Sequence, residues 1–372
     1  MEGLFALGSN GSGQLGIGHQ EDVSVPKQVE FAGSAPEDPV VTIAAGGNHT
    51  IIVTELGKAF WAGDPSSGAC GIVENATNAK ASKFHELVLS TPESHGTVVH
   101  VACTWDSSVL VLRGDSGKAT SVYVCGVPDV GAANISSGSA LSPTLLKDFP
   151  PAGTEIQNLA AGFRHVVAVL DNGDVYGWGN GRKGQLGELC NEADSKGVVY
   201  HPRKLSGISF KVAKAVCCQY TTCLISEPGD GRILVLGADK WELKSVAPVE
   251  IPNWSTIRAS WGGIYVLRRN GTITAWGRND HGQLPPPGLP KLESIVAGSE
   301  HILAVTEGGD VLSWGWGEHG NCGPQTEKFG DVKGRWNVLA SLKHLPEGSQ
   351  ITTIGAGCAT SWINITTDGM FL

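Results

Sequence analysis

Hydrophobic and polar positions along the 372-residue chain follow one recurring pattern. It is plainest from Leu159 to Gly187, L-A-A-G-F-R-H-V-V-A-V-L-D-N-G-D-V-Y-G-W-G-N-G-R-K-G-Q-L-G. Val166 to Leu170 is an unbroken β-rich run and predicts a strand. Asn172-Gly173 predicts a tight hairpin, because both central residues of such a turn favour φ > 0. Val175 to Trp178 is the return strand. Gly179 to Gly187 is a loop whose glycines permit backbone shapes that other residues resist. Ala160, Ala161 and Gly162 are small, as strands crowding a common axis require.

The hairpin glycine recurs at Gly57, Gly117, Gly173, Gly231, Gly271, Gly309 and Gly369. A small-residue loop recurs in step: Gly46 to His49, Cys103 to Asp106, Gly162 to His165, Cys218 to Thr221, Ala259 to Gly262, Gly298 to His301 and Gly357 to Thr360. Two markers therefore agree on seven units. Met1 to Gly16 reads as the second half of a unit and Gln350 to Leu372 as a first half, so the two should complete one blade and close a ring. Gly3-Leu4-Phe5 and Gly369-Met370-Phe371 compete for the same return strand. The expectation is an all-β, seven-bladed propeller forming one domain over 1–372. Insertions are expected near 64–97, 127–155, 188–210 and 324–349, the stretch Asn75 to Ser82 being a mobile excursion.

Composition narrows the function. The formal net charge of -9 argues against a nucleic-acid coat or an anionic membrane surface. No segment reaches the roughly 18 apolar residues needed to span a bilayer, and the start has no basic or apolar leader. Nine scattered Cys form no C-x-x-C pair, so free thiols in a reducing compartment are expected. The sequons at Asn75 and Asn134 read as chance occurrences.

The A-A-G-x-x-H-T...D-G-x-V-Y-x-W-G-x-N-x-x-G-Q-L-G repeat resembles the seven-bladed propellers of the regulator-of-chromosome-condensation superfamily. More narrowly, L-F-A-L-G-S-N-G-S-G-Q-L-G-I-G-H, S-W-G-W-G-E-H-G-N-C-G-P-Q and G-C-A-T-S-W-I are similar to the fungal alpha-tubulin-suppressor, or killer-toxin-insensitivity, family. That resemblance implies a non-enzymatic, cytoplasmic and also nuclear partner of a small CSL-type zinc protein, diphthamide biosynthesis protein three. Through it the family supports Elongator-dependent modification of tRNA wobble uridines, an indirect link, and diphthamide synthesis. The superfamily's founder implies instead a guanine-nucleotide exchange factor for a small GTPase. Against that stand the acidic balance and the lack of a basic N-terminal tail.

Strand alternation places the small-residue loops and the G-x-N-x-x-G-Q-L-G loops on one face. One variable place in the inner loops reads Asn48, Trp105, Arg164, Tyr220, Trp261, Glu300 and Ala359 round the ring. Trp, Tyr and Arg are the residue types of interface hot spots. The alternative is that they pack on one another over the channel. His49, His165 and His301 read as buried imidazoles bridging strands, with Asp106, Thr221, Gly262 and Thr360 replacing them. The sixth outer loop, Ser313 to Gln325, breaks the repeat. Trp314 and Cys322 align with framework residues. Trp316, Glu318 and His319 should be exposed, with His281 and Asp280 matching His319 and Glu318 one blade earlier. The sector from blade four to blade seven is the expected docking surface. Glu318-His319-Gly320-Asn321-Cys322 fits no usual zinc spacing and lacks a group to orient a Cys-His pair. No catalytic residue, metal site or cofactor is assigned.

Overall fold

The computed structural model describes residues 2–73, 80–89, 96–114, 117–127, 142–191 and 197–367. Seven antiparallel sheets are arranged as blades, each a meander in which consecutive strands pair. Blade one is Val40–Ala45, His49–Thr54, Ala59–Gly63 and Ala81–Glu86. Blade two is Thr97–Cys103, Ser107–Arg113, Ala119–Gly126 and Thr144–Leu145. Blade three is Ile156–Ala161, His165–Leu170, Val175–Asn180 and Val198–Lys204. Blade four is Val212–Cys217, Thr221–Ser226 and Ile233–Gly237. Blade five is Trp254–Ala259, Gly263–Arg268 and Ile273–Gly277. Blade six is Leu292–Ala297, His301–Thr306, Asp310–Trp316 and Asp331–Ser341.

Blade seven joins the two ends of the chain. Ser349–Ala356 and Thr360–Thr367 are its first two strands; Gly3–Gly8 and Val23–Gln28 complete it. Gly3–Gly8 pairs along its length with Thr360–Thr367, Leu4 opposite Asn364 and Ala6 opposite Trp362. The competition for the return strand is thus settled for the N-terminal segment, while Gly369-Met370-Phe371 lies outside the described residues. The other six hairpin glycines are all left-handed, with φ between 65° and 88°, the conformation that only glycine adopts without strain.

The segments expected as insertions contain the fourth strands of blades one, two, three and six. Blades four and five have three strands each, because less chain separates their third strands from the next blade. Of the expected excursion, Ala81 and Ser82 begin a fourth strand, and residues 74–79 lie outside the described residues.

Second strands are largely apolar and buried, as in His49–Thr54, His165–Leu170 and His301–Thr306. Their alternate side chains face opposite neighbours, so the core is divided into seven apolar clusters, each shared between adjacent blades. Trp314 fills the cluster between blades five and six, together with Cys322. Its indole Nε1 donates to the Gln283 carbonyl of the preceding blade at 3.1 Å, and Trp276 donates to the Leu243 carbonyl at 2.9 Å. Core tryptophans thereby hold the neighbouring blade's outer loop.

The repeat histidines also join blades. Nε2 of His49, His165 and His301 lies 2.8, 3.0 and 2.9 Å from the hydroxyls of Ser108, Thr222 and Ser361 in the next blade. The expected bridge between strands thus runs to a hydroxyl across the blade boundary. Burial drives these imidazoles down to about 4, 3 and 4. They fold neutral, whereas the unfolded chain protonates near pH 6.5. The stability they support is complete above that value and is lost as pH falls through the folded values. Replacing His165 with Gln, which can still reach Thr222, should therefore make stability less pH-dependent by about 1.4 kcal/mol per unit between pH 6 and 4. Urea unfolding midpoints at pH 6, 5 and 4 measure this; an unchanged slope would show that His165 is not buried neutral.

Candidate functional site: the loop face from blade four to blade seven

The first-to-second loops come closest to the axis, and their register differs from the expected one in two blades. In the third strands, the residue after the Trp-Gly-type glycine donates its N–H to the loop residue just before the second strand. Asp64, Asn180, Ala238, Arg278, Trp316 and Ser9 donate in this way to the carbonyls of Asn48, Arg164, Tyr220, Gly262, Glu300 and Ala359. Gly262, not Trp261, is therefore equivalent to Glu300. In blade two Gly126 packs on the Asp106 carbonyl, so Asp106 holds that place. Ser107 and Gly263, not Asp106 and Gly262, replace the histidine. Blades two and five lack both His and Thr at the strand start, and without that marker the alignment slips by one residue.

Trp105 and Trp261 belong one place further inward, with Gly47, Phe163, Gln219, Ser299 and Cys358. Main-chain bonds run round the axis at this level: Gly47 to Trp105, Trp105 to Phe163, Gln219 to Trp261, Trp261 to Ser299 and Ser299 to Gly357, all between 2.8 and 3.0 Å. The rings of Trp105, Phe163 and Trp261 meet with centroids 5.3 to 5.8 Å apart. Gly47 makes room, since a Cβ there would lie 2.7 Å from the Trp105 indole. These half-buried rings close one end of the central channel over a cavity of about 110 Å³, so for Trp105 and Trp261 mutual packing is the observed arrangement.

From Trp261 a continuous arc runs outward. Beside it, Trp241 lies over Gly262, and the Arg278 guanidinium stacks on Trp241 at 4.9 Å. Arg278 grips Asp280 through Nε and Nη2 at 2.6 and 2.8 Å and reaches Glu300 through Nη1 at 2.5 Å. Gln283 donates to Glu300 at 2.9 Å and to Asp280 at 3.1 Å. Next, His281 Nδ1 meets Asp331 at 2.8 Å. Trp316 stands between His281 and His319, with ring centroids 6.0 and 5.7 Å away. His319 Nδ1 meets Asp22 of the blade-seven loop at 2.8 Å. The arc thus spans blades four to seven, the expected sector.

Residues of this arc hold one another in place. Burial opposes ionisation of Asp280, but Arg278 and Gln283 outweigh it and hold the carboxyl down at about 2. Burial raises Glu300, partly offset by Gln283 and Arg278. Glu300 is 6% exposed with both carboxylate oxygens bonded; it fixes Arg278 and is not the exposed contact expected. Glu318 is exposed and Trp316 half-buried. Asn48 is exposed on blade one and Tyr220 half-buried on blade four. Arg164 pairs with Asp106 at 3.2 Å on the other side of the channel. The structure does not bring Asn48 or Arg164 into the arc.

Trp241, Arg278 and Asp331 were not singled out by sequence. Aligning Gly237 with Gly277 and Gly315 puts Trp241 in the slot of His281 and His319. Blade four lacks the W-G-x-N pattern, which hides that equivalence. Trp241 and Glu242 have φ of 63° and 58°, Glu242 standing where the other loops carry Gly184, Gly282 and Gly320. Left-handed backbone at two non-glycine residues costs roughly 1–2 kcal/mol each, and the strain presents Trp241, 39% exposed, beneath Arg278. Among the described residues, no group of three His, Cys, Asp or Glu side chains converges as metal ligands would.

Seven blades closed by shared termini define a repeat propeller. The sequence profile of the RCC1-like domain matches residues 3–363, and the chain belongs to that family. An RCC1 repeat-containing protein of Schizosaccharomyces pombe is 32% identical over 97% of this chain and 98% of its own length. The secretion-regulating guanine nucleotide exchange factor of Mus musculus is 25% identical over 76% of this chain, a match spanning 61% of that relative. Among solved structures, Prp20p of Saccharomyces cerevisiae superposes with a TM-score of 0.80 at 21% identity, covering 99% of this chain and 92% of that one, which shows the fold.

Arg278→Ala should leave Glu300 buried without its cation. Breaking a fully buried pair costs about 3–5 kcal/mol; because Arg278 is partly exposed, about 2 kcal/mol is expected at pH 7. The loss should shrink at pH 5, where Glu300 can take up a proton. Urea unfolding at both pH values tests this, and an equal loss at each would contradict the assignment.

Proposed function

We propose that the protein is a non-enzymatic binding scaffold that docks a small folded protein on its loop face. The observation that carries this reading is the arc from Trp261 through Trp241, Arg278, His281 and Trp316 to His319. It combines half-exposed aromatic rings with charged groups already fixed by internal partners. Preorganised aromatic and Arg side chains lose little entropy on binding, which is what makes them anchors.

The partner proposed is a small CSL-type zinc protein, diphthamide biosynthesis protein three, forming a heterodimer. This rests on the resemblance of Leu4 to His19, Ser313 to Gln325 and Gly357 to Ile363 to the alpha-tubulin-suppressor family. Through that partner the reading extends to Elongator-dependent wobble-uridine modification and diphthamide synthesis, without direct contact to nucleic acid. The second reading is guanine-nucleotide exchange on a small GTPase, favoured by the name of the mouse relative.

Calorimetric titration of the zinc protein should give saturable binding that weakens at least tenfold in Trp241→Ala and in Trp316→Ala. Leu56→Ala, on the opposite face and 68% exposed, should bind as wild type. Equal affinity in all variants would refute the arc as the docking surface. Stimulated nucleotide release from a small GTPase would replace the scaffold reading with the exchange-factor reading.

A further inference from the structure

The first strand of every blade carries a bulge at the same point, between Val40 and Thr42, Val98 and His100, Ile156 and Asn158, Val212 and Lys214, Trp254 and Thr256, Leu292 and Ser294, and Ile351 and Thr353. The residue after the bulge is polar in all seven. In three blades it reaches the next one: His100 Nε2 lies 3.1 Å from the Ile156 carbonyl, Asn158 accepts from the Ala215 N–H at 2.8 Å, and Thr353 donates to the Val40 carbonyl at 2.9 Å. Blade four departs from the others in charge, since none of the other six residues is a lysine or arginine. Its residue is Lys214, and among the described residues the ammonium has no hydrogen-bond or carboxylate partner.

Two positions further along the first strand, the neighbouring blade departs from the others too. Residues at this level are small or aliphatic (Ala44, Ala102, Ala160, Val216, Val296 and Gly355), but blade five carries Arg258. Its guanidinium donates through Nη1 to the adjacent Ile257 carbonyl at 3.1 Å, with no carboxylate partner among the described residues. Lys214 and Arg258 both line a cavity of about 260 Å³ inside the ring, walled by the innermost strands of blades one to five, and among the described residues no other charged one lines it. They are close enough that burial and the Arg258 charge together push the Lys214 ammonium below its ordinary value, and burial lowers Arg258 too. Two half-buried like charges facing one space are costly unless something of opposite sign joins them.

We infer that this part of the central channel is a binding site for a phosphate-type oxyanion, held between Lys214 and Arg258. Arg offers a planar fork and Lys a point charge, the combination suited to tetrahedral oxyanions. The site is blind. Trp105, Phe163 and Trp261 close the channel at the loop face, so the anion enters from the opposite face, that of the second-to-third turns. Occupancy would neutralise the repulsion between two adjacent blades and couple the anion to the stability of the ring.

The test uses the full chain at pH 7 in chloride buffer, with inorganic phosphate added at constant ionic strength. Wild type should show a melting-temperature rise of about 2 °C or more at saturation, and calorimetry should give one site. Lys214→Met and Arg258→Met should each lose at least tenfold in phosphate affinity, while melting no lower than wild type in phosphate-free buffer. In wild type alone, phosphate should also protect Lys214 from reductive methylation, so the inference can be judged even if a variant fails to fold. An arm with ADP distinguishes sources: a larger shift than with inorganic phosphate assigns the phosphate of a nucleotide, and an equal or smaller one assigns free phosphate. Absence of a shift with both, the same shift in wild type and both variants, or unprotected Lys214 at saturating phosphate would overturn the site.

Discussion

Seven sheets can share one axis only where the chain nearest that axis is thin. Ala45-Gly46, Ala161-Gly162, Ala297-Gly298 and Ala356-Gly357 meet this constraint. A Cβ on Gly46, Gly162 or Gly298 would lie 2.5 Å from a carbonyl of the next blade and closer still to the repeat histidine. Close approach lets main-chain bonds run between blades around the channel, and lets each of three imidazoles cross to a hydroxyl next door. Closure by the N-terminal strand pairs the two ends of the chain within one blade, so the ring is held shut there.

The loop face inherits its order from these inner constraints. Trp276 and Trp314 pack in the shared cores and bond to carbonyls of the preceding blade's outer loop. Inside each regular loop a glutamine side chain accepts from the N–H two residues back, as in Ser12 to Gln14, Lys183 to Gln185 and His281 to Gln283. The variable residues between these fixed points have little freedom. Arg278, Asp280 and Glu300 are therefore held in one arrangement, and Trp316 stands between two histidines that are themselves paired. A surface built in this way is suited to recognition by fit rather than by folding around a partner.

Blade count, ring closure and the shared terminal blade are legible because glycine and small-residue markers are imposed by backbone geometry, which side-chain drift does not erase. Trp314 and Cys322 were readable as framework for the same reason. What fails is register where a marker is missing. Without His or Thr to start the second strand, Trp105 and Trp261 appear one place too far out, and their role in closing the channel is hidden. Trp241 stays hidden because blade four lacks the tryptophan that labels its loop. Pairings such as Arg278 with Glu300 or His281 with Asp331 join different blades, so no local pattern announces them. Fourth strands look like insertions because the short blades omit them.

We propose that recognition takes place on the arc of loops from blade four to blade seven, already ordered before binding. Hydrogen–deuterium exchange of the chain with and without the small CSL-type zinc protein measures this directly. Added protection confined to the loops at 238–243, 278–284 and 316–323 is expected, with slow exchange there even in the free protein. Protection centred on the second-to-third turns, or rapid exchange of these loops until the partner binds, would contradict it.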